Sequence, residues 1–428
     1  MSCPLRGACA GAAKGGRRNG TGESVMKKKV FLVFAMAGCA ALHAEKVYTS
    51  SVSDGGVKVF SRLEWDSPLP AEFSREDRIV INVDADAELS LDMPLDVREF
   101  RMNVAGGKTL VLAGGEIAAR EIFIVGGTLA TRGFTPLKGT LKGDGTVVYG
   151  PEKGSAPVEF SGGVFHDNVI MNDKDWKGVV WLRNIYLLDS LLPALAASAD
   201  STLRLTGCWG TFNAAGDVQI CPGTLELVDD GDAPAITLDN GYADGVSQFA
   251  RLKGNGTFCS SATVVQRYVF RDVSGFFGKI DIPIGASTRV VLGEGALPDE
   301  SYGTIAVVPG ANVAVAPEKV WTATGGIVVD GTLELGEGAR IPAVLSGAGL
   351  VKVASGTAKT EGYGARAKIS VSVAQGATLG VEDESLRSMT LAAVDNKGTI
   401  DLSKTGVSET AFKVAAGIAS STGRVLYR

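Results

Sequence analysis

The sequence predicts an all-β chain wound as a parallel β-helix, a β-solenoid with an irregular cap ahead of its coils. Three observations predict this. Apolar and polar residues alternate in short runs, each run closes on Gly, Asp, Asn or Pro, and two glycine phrases recur along the chain. Alternation is the period of a strand with one buried face. Recurrence of the same local phrase separates a solenoid from a sandwich of similar strands. Glycine, 56 of 428 residues, falls between the runs and not in tracts, so it marks corners and not a flexible linker.

Residues 1–25 are rich in Gly, Ala and Arg and carry no apolar period, as expected of a non-structural extension or a start placed too early. At Met26 the pattern changes. Lys27, Lys28 and Lys29 precede an apolar stretch over residues 30–42, the form of a secretory signal over 26–44 and too short to span a membrane. Cleavage after Ala44 gives a mature start at Glu45. The alternative is lipoprotein processing at Cys39, where Met36-Ala37-Gly38 supplies the small pair before the cysteine but has Met where Leu is usual. Export from a bacterial cell, to its surface or the medium, is the expectation.

Residues 45–78 hold little periodicity beyond Val57-Lys58-Val59-Phe60 and are expected to cap the first coil, whose open edge invites aggregation. The solenoid is expected over 79–428. Its early runs are Ile79-Val80-Ile81-Asn82-Val83, Leu89-Ser90-Leu91, Phe100-Arg101-Met102, Leu110-Val111-Leu112 and Ile122-Phe123-Ile124. Two or three such strands make one coil. One stretch departs from the pattern: residues 187–199, Leu-rich and Ala-rich, suit a short helix or a packed excursion better than a strand.

The first phrase is Gly-Thr-Leu-x-Leu or a variant, at Gly127-Thr128-Leu129, Gly223-Thr224-Leu225-Glu226-Leu227, Gly331-Thr332-Leu333-Glu334-Leu335 and Gly398-Thr399-Ile400-Asp401-Leu402. The second is Leu-x-Gly-x-Gly, at Leu141-Lys142-Gly143-Asp144-Gly145, Leu252-Lys253-Gly254-Asn255-Gly256 and Leu345-Ser346-Gly347-Ala348-Gly349. Leu129 precedes Leu141, and Leu333 precedes Leu345, by the same interval. The longer interval from Leu225 to Leu252 suggests an extra coil or loop there. A coil that reverses direction in few residues often needs positive φ at its corners, which glycine accepts freely.

These phrases resemble the autotransporter-associated β-strand repeats of large bacterial surface proteins, and Phe276-Phe277-Gly278-Lys279-Ile280-Asp281-Ile282 with Gly285-Ala286 resembles their Phe-x-Gly-x-Ile-x-Val corner. The resemblance covers most of residues 79–402. It implies a right-handed parallel β-helix displayed outside the cell. Such passengers usually continue into a membrane β-barrel, whereas the residues before Arg428 show neither a run of barrel strands with an aromatic girdle nor an apolar anchor.

Charge narrows the partners. Residues 1–44 hold seven of the 42 Lys/Arg and one of the 47 Asp/Glu, which leaves 35 basic and 46 acidic residues and a net charge of −11 from Glu45 onward. Nucleic acid and anionic membrane surfaces need clustered Lys/Arg, and no cluster follows Lys29. No membrane-spanning segment is expected in the mature chain. Extracellular glycans or other surface proteins are the partners left.

The chemistry-bearing residues are few. Cys208, Cys221 and Cys259 are an odd count; Cys208 and Cys221 can pair across coils, or all three are small buried apolar residues. His166, beside Asp167, is the one histidine past the signal, but adjacent residues on a strand point to opposite faces. No Gly-x-Ser-x-Gly, His-Glu-x-x-His or Cys-x-x-Cys is present, so no catalytic residue, cofactor or metal is expected. An alternative is a carbohydrate-active β-helix that binds or cleaves polysaccharide with the paired carboxylates Asp84 and Asp86, Asp173 and Asp175, or Asp229, Asp230 and Asp232. Abundant turn acids explain the same residues. Trp176, Trp181 and Trp209, with Tyr186 close in sequence, are the candidate carbohydrate contacts, or else they plug an irregular coil. The expected function is a non-catalytic structural or adhesive surface protein.

Overall fold

The computed structural model describes residues 45–131, 137–151, 158–161, 172–190, 198–212, 218–229, 236–237, 245–260, 265–294, 303–364, 367–416 and 418–428. All of them belong to the second of the chain's two units, which begins at His43. The predicted extension and signal, and His166, lie outside the described residues.

The fold is a parallel β-solenoid of about 12 turns. One ladder runs from Val47–Val52 through Arg78–Val83 and the first parts of Leu95–Leu112 and Ile117–Thr131 to Leu137–Gly143. A second starts at Gly56–Val59 and passes through Ala87–Ser90, the later parts of the same two long strands, Thr146–Tyr149, Val179–Arg183 and Thr202–Thr206. It continues through Val218–Val228 and Gly245–Gly254 to Gln266–Phe276. Further ladders stack Val158–Ser161, Ile185–Ser190 and Trp209–Phe212, and, beyond residue 312, a six-stranded sheet from Asn312–Val315 to Ile418–Ser421.

Alternation explains the core. In parallel strands held in register, equivalent side chains lie one strand spacing apart, so each coil's apolar row is covered by the next. Ala87, Leu110, Leu129, Val147, Val180, Leu203, Leu225 and Leu252 are successive register partners and all are buried. Ile79, Phe100, Ile122 and Leu141 form a second such column. Each large aliphatic side chain in a column contributes roughly 1.5–3 kcal/mol. Outward side chains pair between coils: Asn103 Nδ2 donates to Asn82 Oδ1 at 2.9 Å, Lys142 to Glu121, Arg204 to Glu226 and Lys352 to Glu334 at 2.8 Å. These partners are 18 to 22 residues apart, the length of one coil at those places. Exposed pairs of this kind stabilise little, and their effect is on register.

The glycine phrases are corners, and the reason for glycine is mostly close approach. In Leu-x-Gly-x-Gly the first glycine has positive φ in all three copies: +107° at Gly143, +95° at Gly254 and +102° at Gly347. A Cβ there would overlap the carbonyl of Ile124, Leu227 or Val329 in the coil below. The second glycine donates its N–H to that same carbonyl, at 3.0, 3.0 and 2.7 Å. In Gly-Thr-Leu, by contrast, the glycine has ordinary φ. Gly127, Gly223, Gly331 and Gly398 each sit over two carbonyl oxygens of a turn in the preceding coil, where a Cβ would meet both. The sequence leads one to expect positive φ at many corners; for this phrase the close coil-to-coil contact is the cause instead.

Three expectations are corrected. The first coil starts before residue 79, since Val47–Val52 already pairs in register with Arg78–Val83. The cap is the segment after it: Asp66 N–H donates to Thr49 O and Ser50 Oγ to Glu64 O, while Phe60, Trp65 and Phe73 pack together, with the Phe60 centroid 4.9 and 6.3 Å from the other two. The interval from Leu225 to Leu252 holds no extra coil, because the two are register partners in adjacent coils. Residues 187–190 belong to the strand Ile185–Ser190 and not to a helix: parallel pairing with Val158–Ser161 overrides the local helical pattern. Residues 191–197 lie outside the described residues.

Of the three cysteines from Glu45 onward, Cys208 and Cys221 are buried and Cys259 is half-buried. Burial pushes the Cys221 thiol up to about 12 from an ordinary value of 9.0. Because the folded form holds the thiol neutral while the unfolded chain ionises from about pH 9, this contribution is full below pH 9 and is lost as pH rises towards 12. Its upper limit is on the order of 4 kcal/mol. Burial shifts Tyr149 and Tyr363 in the same direction. Urea midpoints are expected to fall between pH 9 and 11 and to fall less in Cys221→Ala; a flat profile contradicts the burial. In the native protein iodoacetamide is expected to modify Cys259 ahead of Cys208 and Cys221, as read by peptide mass.

Candidate functional site

The three tryptophans do not form one shelf, because neighbours in sequence are carried to different ladders. Trp176 is fully buried. As a candidate carbohydrate contact it is corrected: its ring lies under Gly178, whose Cβ position it closes, and its indole N–H is buried with no partner among the described residues. Phe276 under Gly278 repeats the same arrangement one hundred residues on. Trp176-Lys177-Gly178-Val179-Val180 is therefore a further copy of the aromatic corner. Tryptophan in place of phenylalanine hides it from a reading of the sequence.

Trp181 points outward from Val179–Arg183 and is half-buried. Its indole N–H donates to Thr206 Oγ1 at 3.0 Å, and the guanidinium groups of Arg183 and Arg204 lie 5.5 and 5.2 Å from the ring centroid. Arg204 is itself paired with Glu226 at 2.8 Å. The ring is thus engaged by cations of its own and the next coil. Trp209 lies on Trp209–Phe212 in another ladder, where its backbone is the register partner of Tyr186.

Asp84, Asp86 and Asp229 lie in turns, whereas Asp173 and Asp175 lie on the strand Asn172–Trp176. Asp86 accepts the Thr109 N–H at 2.7 Å and is flanked by Lys108 at 3.7 Å. Asp144 and Asp330 accept Gly126 and Ala348 N–H groups at corners in the same manner. Asp175 is exposed and faces Lys142 at 3.8 Å. Asp230 and Asp232 lie outside the described residues. Among the described residues no group of three His, Cys, Asp or Glu is placed to hold a metal ion.

A different place gathers polar side chains. The second ladder stops at the later part of Gln266–Phe276, which pairs back to Gly245–Gly254, and the six-stranded sheet starts afresh at Asn312–Val315. Between those strands lies a groove of about 810 Å³ lined by Arg251, Arg271, Asp272, Glu294, Pro309 and Asn312, among others. Arg251 donates to Ala199 O at 2.6 Å, and Arg271 Nη1 stands 3.7 Å from Glu294 Oε1. Hydrogen bonds from Ser274, with Arg251 and Lys253 nearby, hold the Asp272 carboxyl below its usual value. That carboxyl can accept hydroxyl hydrogen bonds.

Sequence reasoning misses this groove. Alternation in Gln266-Arg267-Tyr268-Val269-Phe270-Arg271 places Arg267 outward. The break in the ladder that opens the groove has no local signature.

The class is defined by the fold: a parallel β-solenoid with glycine corners and an aromatic cap at its first coil. Comparison with family models, curated proteins and solved structures gives no match. Among the described residues no helix is long and apolar enough to cross a membrane.

Proposed function

We propose that this chain is an exported, non-catalytic repeat protein of a bacterial surface, structural or adhesive in role and akin to autotransporter-associated repeat passengers. The observation that carries the reading is the use made of the side chains. Inward residues stack coil on coil, glycines close the corners, and outward charges pair with the next coil, as Lys142 does with Glu121 and Arg204 with Glu226. Such a chain presents a stiff, repeated surface. Export is supported by the basic and apolar segments over residues 26–44. The carbohydrate-active alternative is favoured by one feature, the groove that brings Asp272 and Glu294 together with Arg251 and Arg271.

The test is expression of the full chain in a bacterium, followed by fractionation, mass determination of the mature N-terminus and a turnover screen on polysaccharides. A mature start at Glu45, recovery outside the cytoplasm and no cleavage of any glycan are the expected results. A lipidated start at Cys39 keeps the surface reading and changes the anchor. Retention of residues 26–44 in the cytoplasm removes export, and turnover abolished by Asp272→Asn or Glu294→Gln makes the protein an enzyme.

A further inference from the structure

A pocket of about 480 Å³ opens between the start of the first strand and the segment that caps it. Arg78 N–H donates to Lys46 O at 2.8 Å, which brings Asp77 up to the beginning of Val47–Val52. The lining joins three kinds of group. Tyr48 and Phe73 meet edge to face with ring centroids 5.4 Å apart and, with Pro70, form an apolar wall. Asp77 and Glu72 bring two carboxylates, and Lys46 stands exposed at the rim. An apolar wall with a few convergent polar groups, in a volume of roughly 300–1,000 Å³, is the make-up of small-molecule sites.

The polar groups of this lining are not used up within the protein. Tyr48 is 3 % exposed, and its hydroxyl makes no hydrogen bond among the described residues. Asp77 is 5 % exposed; its Oδ2 accepts the Ser74 N–H at 2.8 Å, while its Oδ1 has no hydrogen bond and no cation stands within ion-pair distance, among the described residues. Burial, and after it the charge of Asp77, push the Tyr48 hydroxyl above its usual value, so hydroxyl and carboxylate share one space. Glu72 and Lys46 form no ion pair among the described residues. The arginines nearest in sequence are engaged elsewhere, Arg75 with Asp96 at 2.7 Å and Arg78 with Glu45 and Glu99. A carboxylate taken from water without a counter-charge is costly. An ammonium carries three N–H donors, and Asp77, Tyr48 and Glu72 offer it three acceptors. A lysine side chain is a slender stem, whereas a wall of two rings and a proline suits the broad C–H face of a sugar.

We infer that the pocket under the cap is a subsite for an amino sugar with a free amine, whose ammonium is taken by Asp77, Tyr48 and Glu72 while its ring lies against Phe73 and Pro70. The inference deepens the adhesive reading and rests on it. It puts glycan binding at the capped first coil, apart from the groove lined by Arg251 and Asp272. Lys46 and Ser74, at the edge of the same pocket, are placed to meet the ring hydroxyls.

The experiment is calorimetric titration of the full chain, as exported, with a glucosamine oligomer, its N-acetylated form and an oligolysine peptide, at a mildly acid pH that keeps the amine protonated. The glucosamine oligomer is expected to bind about tenfold or more tightly than the acetylated one, since acetylation removes the charge and with it the charge-assisted hydrogen bonds. Tyr48→Phe deletes a hydroxyl that no described group of the protein uses, so it is expected to weaken binding about tenfold with an unchanged melting temperature. Asp77→Asn keeps an acceptor for the Ser74 N–H and removes the charge; because Asp77 is buried, its loss of binding is read only if its melting curve matches the parent's, and Tyr48→Phe carries the test without it. Equal binding of amine and acetamide, equal binding of oligolysine, no binding, or an unchanged affinity in Tyr48→Phe each overturns the subsite. Absence of binding by a chain recovered intact outside the cytoplasm removes the subsite and leaves the surface reading. Cleavage of the oligomer removes the non-catalytic reading and leaves the subsite.

Discussion

Gly254→Ala is expected to lower the stability of the solenoid by about 2–5 kcal/mol, the combined cost of a left-handed backbone for a residue with Cβ and of a forced shift in the coil below. Gly254 has φ of +95°, and a Cβ there would overlap the carbonyl oxygen and carbon of Leu227. That carbonyl cannot move freely, since it accepts the Gly256 N–H at 3.0 Å. Two comparisons separate the causes. Gly376 has φ of +80° with nothing within 4 Å of the position a Cβ would take, so Gly376→Ala measures backbone strain alone, about 1–2 kcal/mol. Gly256 has ordinary φ but lies against the Leu227 carbonyl carbon, so Gly256→Ala measures close approach alone, about 1–3 kcal/mol. Urea unfolding of the three variants checks the ranking. Equal losses at Gly254 and Gly376 mean that coil-to-coil approach contributes nothing and that backbone conformation alone selects glycine at the corner.

Leu203→Asp is expected to have the largest effect of any single substitution. Leu203 is fully buried between Val180 and Leu225 in the longest apolar column. Truncation to alanine costs roughly 2–5 kcal/mol by loss of transfer energy and creation of a cavity. Aspartate adds an unpaired carboxylate in an apolar row, which costs several kcal/mol more. In a stack whose coils touch only their neighbours, a lesion at one coil uncouples the two sides. Two unfolding transitions are therefore expected where the parent shows cooperative loss, with early proteolysis between residues 172 and 229. A single transition at the parent's midpoint shows that the column does not couple the coils.

Much of this fold is legible in the sequence because in a solenoid the information is local. Ile79-Val80-Ile81, Phe100-Arg101-Met102 and Ile122-Phe123-Ile124 are recognisable as strands by alternation, and they are successive partners in one ladder. Leu-x-Gly-x-Gly marks three corners for the same reason: a carbonyl of the coil below must be approached closely, and only glycine allows it. The stretch after residue 187 misleads because Leu and Ala suit a helix locally, and nothing local reports the strand at 158–161 that pairs with it. Trp176 has the look of an exposed sugar-binding ring in sequence; its place under Gly178 depends on the coil it closes.

The candidate site is not legible at all. Arg251, Arg267, Arg271 and Glu294 are spread over more than forty residues and sit at no common phrase. They converge because successive coils place positions about one turn apart side by side, and because the second ladder ends at Phe276 and leaves a groove before Asn312. The sequence by itself determined strand period, corner chemistry and the parallel stacked class, since each is set by contacts within one coil or between equivalent residues of adjacent coils. Only the tertiary structure decided which outward side chains share a pocket, where the ladder breaks and which tryptophan is covered. Those depend on coil length and register summed along the chain, and a difference of a few residues in one coil moves every later side chain to a new neighbour.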